Sequence, residues 1–425
     1  MKIAIVGSGI AGNTAAYLLR AEHEITVFES APYVGGHTNT VSVESSIGTL
    51  AVDTGFIVFN DRTYPRFNRL LTEIGQDWQP SVMSFSVQSA DGGLEYNGAS
   101  LGSLFAQRRN LLRPSFWRML RDILRFNREA VEFLSFGNPE ETVGAYLAGN
   151  GYSAEFIDHY LVPMAAAIWS AEQASVLGMP MLFLARFFQN HGLLQIKDRP
   201  QWRVIKGGSR AYVERLTSAH ADRIRLNCAV RGITRRADGV YIRSEASAVE
   251  RFDAVFLACH SDQALALLSD ADELEREVLG AMPYQRNEAV LHADTRLMPS
   301  RKSCWAAWNY HLPTEPGGLA AVTYNMNILQ GLPAPEQYLV SLNSERYIDE
   351  QRVLRRIEYE HPVFSLRSHA AQSRHAELNA NGQTLFCGAY WRNGFHEDGV
   401  ESAIAAVRHF EEACANGQRH FRRTG

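Results

Sequence analysis

The first thirty residues constrain the fold more than any other stretch of this 425-residue chain. Ile3 to Val6 form a short uncharged apolar run, the pattern of a parallel strand buried on both faces. Gly7, Ser8, Gly9, Ile10, Ala11 and Gly12 then read G-x-G-x-x-G, and Thr14 to Arg20 continue at helical spacing. Gly7 permits the tight turn, Gly9 lets the backbone approach a pyrophosphate, and Gly12 allows the helix to pack closely on the strand. The N–H groups at the helix start, those of Ile10 and Ala11 among them, then face the phosphates. Glu24 to Phe28 reads as a second strand, and Glu29 with Ser30 ends it about twenty residues beyond the fingerprint, placed to meet a ribose diol. A glycine-rich turn serving no nucleotide is the competing explanation, but strand, glycines, helix, strand and terminal acid in this order favour the dinucleotide. Glu29 would repel a 2′-phosphate, which disfavours NADP.

Composition sets the outer limits. With 46% hydrophobic residues the chain can bury a large core, and its length suggests two domains. A net charge of -4 gives no sign of a nucleic-acid binder. Cys228, Cys259, Cys304, Cys387 and Cys414 are scattered, odd in number and without a C-x-x-C pair. They suit reduced thiols in a cytoplasmic protein rather than a disulfide framework or a metal site. The first strand starts at once, leaving no room for a signal peptide. Leu161 to Ala185 carries one charge, Glu172, but Pro163 and Pro180 interrupt it, so buried helices lining a cavity are expected there instead of a membrane span.

The next motifs, "SAPYVGGHTNTV" and "LAVDTGFIVFN", make the sequence resemble the FAD-containing amine oxidoreductase superfamily of monoamine oxidases, phytoene desaturases and protoporphyrinogen oxidases. The resemblance implies that Gly35 and Gly36 lie against the FAD pyrophosphate and that Asp53, Thr54 and Gly55 run near the flavin. His37 stands where many members carry arginine. In "WRVIKGGSRAYVERL", Gly207 and Gly208 match the return of the chain to the FAD domain. Val230 falls at the usual backbone contact with the adenine, and Ala258 at a strand-to-helix return near the cofactor. Cys259 and His260 are adjacent on a strand, point to opposite faces and are expected to be structural.

Near the other end, Thr384 to Gly388 reads as a strand, Tyr390 to Gly399 as a loop rich in glycine and aromatics, and Glu401 to Phe410 as a helix. In the resembled family this region covers the isoalloxazine and aims a helix N-terminus at it, where positive dipole and N–H groups stabilise the reduced ring. The implied contacts are Gly388, Trp391, Phe395, His396, Asp398, Gly399 and Val400. No cysteine has a flavin-linking context, so the FAD is expected to be non-covalent.

Across essentially the whole chain, "DTGFIVFNDRTYP", "LVPMAAAIWS", "GLLQIKDRPQWRVIKGG" and "GFHEDG" look like the FAD-dependent oxidoreductase module found N-terminally in plant cyclopropane fatty-acid synthases and as a free-standing bacterial protein. That likeness implies an apolar or lipid substrate and a cyclopropane-synthase-like methyltransferase as a partner. Independent support is modest. From Ser115 to Ser135, Phe116, Leu120, Ile123, Asn127, Ala130, Val131 and Leu134 share one helical face, while Arg118, Arg121, Arg125 and Arg128 share another. A basic amphipathic segment over 108–128 suits contact with the inner face of an anionic membrane, although its apolar face would pack inward equally well.

Amine oxidases of the family place a lysine near the flavin at the start of a substrate-domain strand. The comparable strand here, "RNEAVLHAD", supplies Asn287 and Glu288, and the chain has only Lys2, Lys197, Lys206 and Lys302. His396 and Glu397 are the candidate proton-transfer residues. The expected architecture is α/β, a discontinuous Rossmann-like FAD-binding domain (1–62, 200–265 and 380–425) with an inserted α+β substrate domain (63–199 and 266–379). The expected activity is dehydrogenation or other oxidation of a phospholipid acyl chain. Amine oxidation, non-redox flavin isomerisation and a binding role beside a lipid methyltransferase are its rivals.

Overall fold

The computed structural model describes residues 1–195, 197–245, 248–312 and 319–421; the last four residues of the expected FAD-binding pieces lie outside them. Five strands form one wholly parallel sheet, ordered Ile224–Arg225, Glu24–Phe28, Lys2–Val6, Ala254–Leu257 and Thr384–Phe386. Sequence-distant segments thus lie side by side: Ile3 is level with Ala254, and Phe256 with Leu385. Alternation sends Ile3 and Ile5 to one face and Ala4 and Val6 to the other, and both are covered. On the first face lie helices Ile10–Leu19 and His396–Phe421, contributing Ala15, Leu19, Ala403 and Phe410. On the second, Ile233, Val240 and Phe252 come from a three-stranded antiparallel sheet.

The last helix begins at His396, earlier than the apolar periodicity from Glu401 suggests. Asp398 explains the early start: its carboxylate accepts from the N–H groups of Phe395 (2.9 Å) and Asn393 (3.2 Å), folding the loop back onto the helix.

A second, mixed sheet has seven strands in the order Val353–Pro362, Tyr284–His292, Leu339–Leu342, Ala321–Asn325, Trp308–Leu312, Phe85–Ser89 and Glu95–Asn97. Helices between Pro114 and Asn190 pack on one face of it through Phe126, Phe156, Ala166 and Phe188. Its other face meets the hairpin Thr40–Ser45/Gly48–Asp53 through Val43 and Val52. The architecture is α/β, a parallel nucleotide-binding-type sheet joined to an α+β part.

Candidate functional site

The glycines of the fingerprint divide sharply by surroundings. A methyl group on Gly12 would sit 1.9 Å from the Gly7 carbonyl oxygen, and one on Gly7 2.8 Å from that of Ala258. These positions, with φ of +100° at Gly7, allow only glycine. Gly36 brings its Cβ direction to 3.2 Å from Gly9 Cα, and Gly35 N–H donates to Ser8 Oγ (3.3 Å), so the second glycine pair lies on the first. At Gly9 a methyl group would meet nothing within 4 Å. No side chain caps the helix that follows and no acid stands in its first turn. This open, uncapped helix start fits a pyrophosphate.

Glu29 is buried beside it. One carboxylate oxygen accepts from Ser8 N–H (2.9 Å) and Ser8 Oγ (2.6 Å), the other from Ala31 N–H (2.8 Å) and, at 3.3 Å, Ser30 Oγ. These four bonds fill the carboxylate's lone-pair sites, so a ribose diol would bind it by replacing the Ser8 and Ser30 hydroxyls. Cys228 N–H donates to the Glu29 carbonyl (2.8 Å), which brings Val230 to the same end of the sheet. The donor set therefore fits the adenosine diphosphate half of FAD.

At the opposite end, Gly399 lets the last helix approach the first: its Cβ would stand 2.7 Å from Ile10 Cγ2, and Val400 packs with Ile10 and Phe56. Gly388 N–H donates to Ser402 Oγ (2.9 Å), which fixes the strand-to-loop junction. Gly55 is glycine because its Cβ would fall 2.2 Å from the His37 carbonyl oxygen, and Thr54 Oγ1 bonds the Tyr359 hydroxyl (2.9 Å).

Several side chains expected at the cofactor serve the scaffold instead. Asp53 is wholly buried, and its carboxylate accepts from Thr40 Oγ1 (2.6 Å), Ser209 N–H (2.8 Å), Ser209 Oγ (2.7 Å) and Gln330 Nε2 (3.0 Å). Burial raises its pKa to about 6. It braces the hairpin against the turn of Gly207 and Gly208, both at positive φ. Trp391 is buried against His375 (4.4 Å) and Tyr390 (5.1 Å) in the core beneath the parallel sheet. Glu397 accepts from the N–H groups of Arg66 and Phe67 (2.9 Å each) and so caps helix Pro65–Glu73; this occupies the carboxylate proposed as a base. His396 stacks on Phe56 (3.5 Å), and its Nε2 lies 2.9 Å from Thr38 Oγ1 and 3.0 Å from the Tyr212 hydroxyl. Burial holds its pKa well below the ordinary value, making it a weak base whose bonds fix the helix start.

Two clusters had no counterpart in the motif reading. His37 lies 6.3 Å from His260 and 5.4 Å from His361, and stacks on Tyr359 (4.9 Å). Burial depresses these histidines to about 4, 4 and 3, and each keeps some accessible surface. His361 Nδ1 lies 2.9 Å from Asn287 Nδ2, and Asn287 Oδ1 accepts from Asn343 (2.9 Å). This amide occupies the strand where amine oxidases are expected to carry lysine, and none of the four lysines is buried.

The second cluster is aromatic. Phe395 stacks on Phe187 (5.2 Å), Phe187 on His191 (3.8 Å) and Phe183 on Phe364 (4.9 Å), while Trp169 lies 4.7 Å from Phe187 and donates to the Asn393 carbonyl (3.0 Å). The last loop is thereby stacked onto the helical insertion. The spacing of Phe183, Phe187 and His191, four residues apart, was the available sequence signal.

Residues 8–293 match the family model described as flavin containing amine oxidoreductase. No curated protein matches the chain at the sequence level. Among solved structures, cyclohexylamine oxidase from Brevibacterium oxydans IH-35A superimposes with a TM-score of 0.69 at 16% identity, covering 97% of this chain and 99% of its own. A CLA-producing fatty acid isomerase from P. acnes gives 0.70 at 16% identity, covering 96% and 98%. Wild-type putrescine oxidase bound to putrescine gives 0.65 at 15%, covering 98% and 99%. With a family match over more than half of its length, a parallel sheet carrying the dinucleotide cradle and the same two-part fold, the chain belongs to the flavin containing amine oxidoreductase family, as an FAD-dependent oxidoreductase.

Proposed function

We propose that this oxidoreductase dehydrogenates a fatty acyl chain, carried on a phospholipid. The observation that carries this reading is the aromatic contact of the last loop with the helical insertion, Phe395 on Phe187 with Trp169 alongside. Met164, Ile168, Trp308 and Tyr324 are only partly buried around it, as expected of side chains that line an apolar cleft. Such walls bind a hydrocarbon through buried area and exclude water from the reacting carbon. The absence of a buried lysine, with Asn287 in its expected place, weakens an amine-oxidase reading.

Bound FAD supplies a two-electron acceptor. In the reaction two adjacent C–H bonds break and a C=C bond forms: one hydrogen leaves with its electron pair as hydride, the other as a proton, and both hydrogens end on the final acceptor. The electron pair passes finally to dioxygen or a quinone. The chain's part is to hold the nucleotide through its glycine turns, keep His396 neutral in its hydroxyl pair, and orient the acyl segment between aromatic rings. The fatty acid isomerase of the same fold gives a second reading, double-bond migration without net electron transfer.

Incubation with phospholipids of defined chains, followed by mass spectrometry of the released fatty acids, tests both. Loss of two hydrogens per chain supports dehydrogenation, and an unchanged mass with a moved double bond supports isomerisation. Unchanged lipid under conditions where simple amines are consumed contradicts both.

A further inference from the structure

We infer that the outward face of helix Pro114–Phe136, with the turn before it, docks the protein on an anionic phospholipid bilayer. The face differs from the apolar one read from periodicity. Phe116, Met119, Phe126 and Ala130 pack inward, with Leu120, Ile123 and Leu134 partly buried beside them. What remains outside is neither polar nor neutral. Trp117, Arg121, Leu124, Arg128 and Val131 follow one another at spacings of three and four, so they form a single exposed stripe. Trp117 is 50% exposed and Leu124 58%.

The stripe continues into the turn. Trp117 Nε1 donates to the Leu111 carbonyl (2.9 Å), and its ring lies 5.4 Å from Phe105. Leu112, beside Leu111, is 87% exposed, and Leu101 is 77% exposed. A water-soluble surface rarely presents tryptophan and leucines together in this way without something to cover them.

Charge decides what covers them. From Arg108 to Val131 the exposed side chains include five arginines and no acid; Glu132 is the next exposed acid along the helix. Arg118 is paired with Glu155 (2.5 Å). Arg121 and Arg128 have only long pairings, with Asp122 (3.6 Å) and Glu129 (3.9 Å), acids whose short bonds go to the Ser153 N–H (3.0 Å) and to Arg125 (2.8 Å) and the Tyr152 hydroxyl (2.7 Å). Arginines alternating with tryptophan and leucine suit the lipid interface, where the apolar groups enter the acyl boundary and guanidinium groups reach phosphates. The inward face meets the helix carrying Phe187 through Phe126 and Phe188 (6.4 Å), so the docked surface lies one helix layer from the aromatic cluster. The inference stands on this surface alone and survives a wrong assignment of the reaction.

The test is co-sedimentation of the FAD-loaded protein with vesicles of phosphatidylcholine alone or mixed equally with phosphatidylglycerol. Binding is expected for the mixed vesicles, weakening as salt is raised. At about 1 kcal/mol per basic residue, Arg121→Gln with Arg128→Gln lowers the partition coefficient roughly thirtyfold. Leu112→Ser with Trp117→Ser also lowers it, while Arg276→Gln with Arg346→Gln, exposed on other elements, leaves it within about twofold of the parent. Flavin absorbance and melting temperature confirm that each variant is folded. Equal binding to both vesicle types, no binding, or indifference to the arginine pair overturns the inference. So does a dimer in solution that Leu112→Ser with Trp117→Ser dissociates without vesicle binding, since a second copy would then cover the face.

Discussion

The helices that begin at Ile10 and at His396 meet at their N-terminal ends, yet their starts are built differently. The first has no side-chain cap and no acid in its opening turn, and a methyl group on Gly9 would meet no protein atom within 4 Å. The last opens with Glu397 and Asp398, and each carboxylate is committed to N–H groups of other segments. The first start is prepared to receive an anion, and the last is locked to the chain around it. The difference lies in charge: the first start leaves its positive dipole end to an anion, and the last brings two carboxylates of its own.

Breaking the first start should have the largest effects. In Gly12→Ala the methyl group overlaps the Gly7 carbonyl, which cannot move without disturbing the sheet, so a loss of about 1–3 kcal/mol of stability together with FAD is expected. The ratio of flavin to protein absorbance and the melting temperature read both. Gly9→Ala separates the two effects. Its methyl group meets no protein atom, so the melting temperature of the apoprotein should be unchanged while FAD affinity falls at least about tenfold, corresponding to 1.4 kcal/mol. Equal FAD affinity in Gly9→Ala and the parent would place the pyrophosphate elsewhere.

At the last start the expected loss is one of stability. Glu397→Ala removes the cap from helix Pro65–Glu73 and should cost about 1 kcal/mol in chemical denaturation. The pH dependence of flavin reduction should not change, because the carboxylate moves no proton; a lost kinetic pKa would restore it as a base.

The remaining effect is one of pH and concerns the histidine cluster. His361 titrates near 3, and His37 and His260 near 4, against 6.5 for the ordinary imidazole. The unfolded chain takes up these protons first, so their contribution is complete above about pH 6.5 and is lost as the pH falls towards 4. His361→Gln should flatten this acid limb by at most about 1.4 kcal/mol per pH unit. Melting temperatures of parent and variant between about pH 7 and pH 4 give the comparison, and parallel curves would show that His361 is not held neutral by the fold.

The nucleotide half of the molecule was legible because its signals are local. Strand, glycines, helix and acid follow within thirty residues, and backbone contacts explain Gly7 and Gly12 while Gly9 faces open space. The helix over 114–136 was legible in extent but misphased. Asp122 belongs to the buried side because its carboxylate accepts the Ser153 N–H, and Val131, read on one face with Phe116 and Ala130, is exposed while those two are buried. Hydropathy alone cannot anticipate a polar side chain buried to satisfy a backbone donor. Trp391 was misplaced for a related reason: an aromatic residue next to a flavin motif looks the same in sequence whether it faces the ligand or the core. The histidine cluster was invisible, since positions 37, 260 and 361 meet only when two sheets are brought together.

Whether this FAD-dependent enzyme oxidises acyl chains, as proposed, or amines is decided by anaerobic titration of the oxidised flavin band. Phospholipids with saturated, unsaturated, methyl-branched and cyclopropane chains form one series, simple amines the other. Bleaching is expected from at least one lipid class and none from amines. Bleaching by amines alone would contradict it.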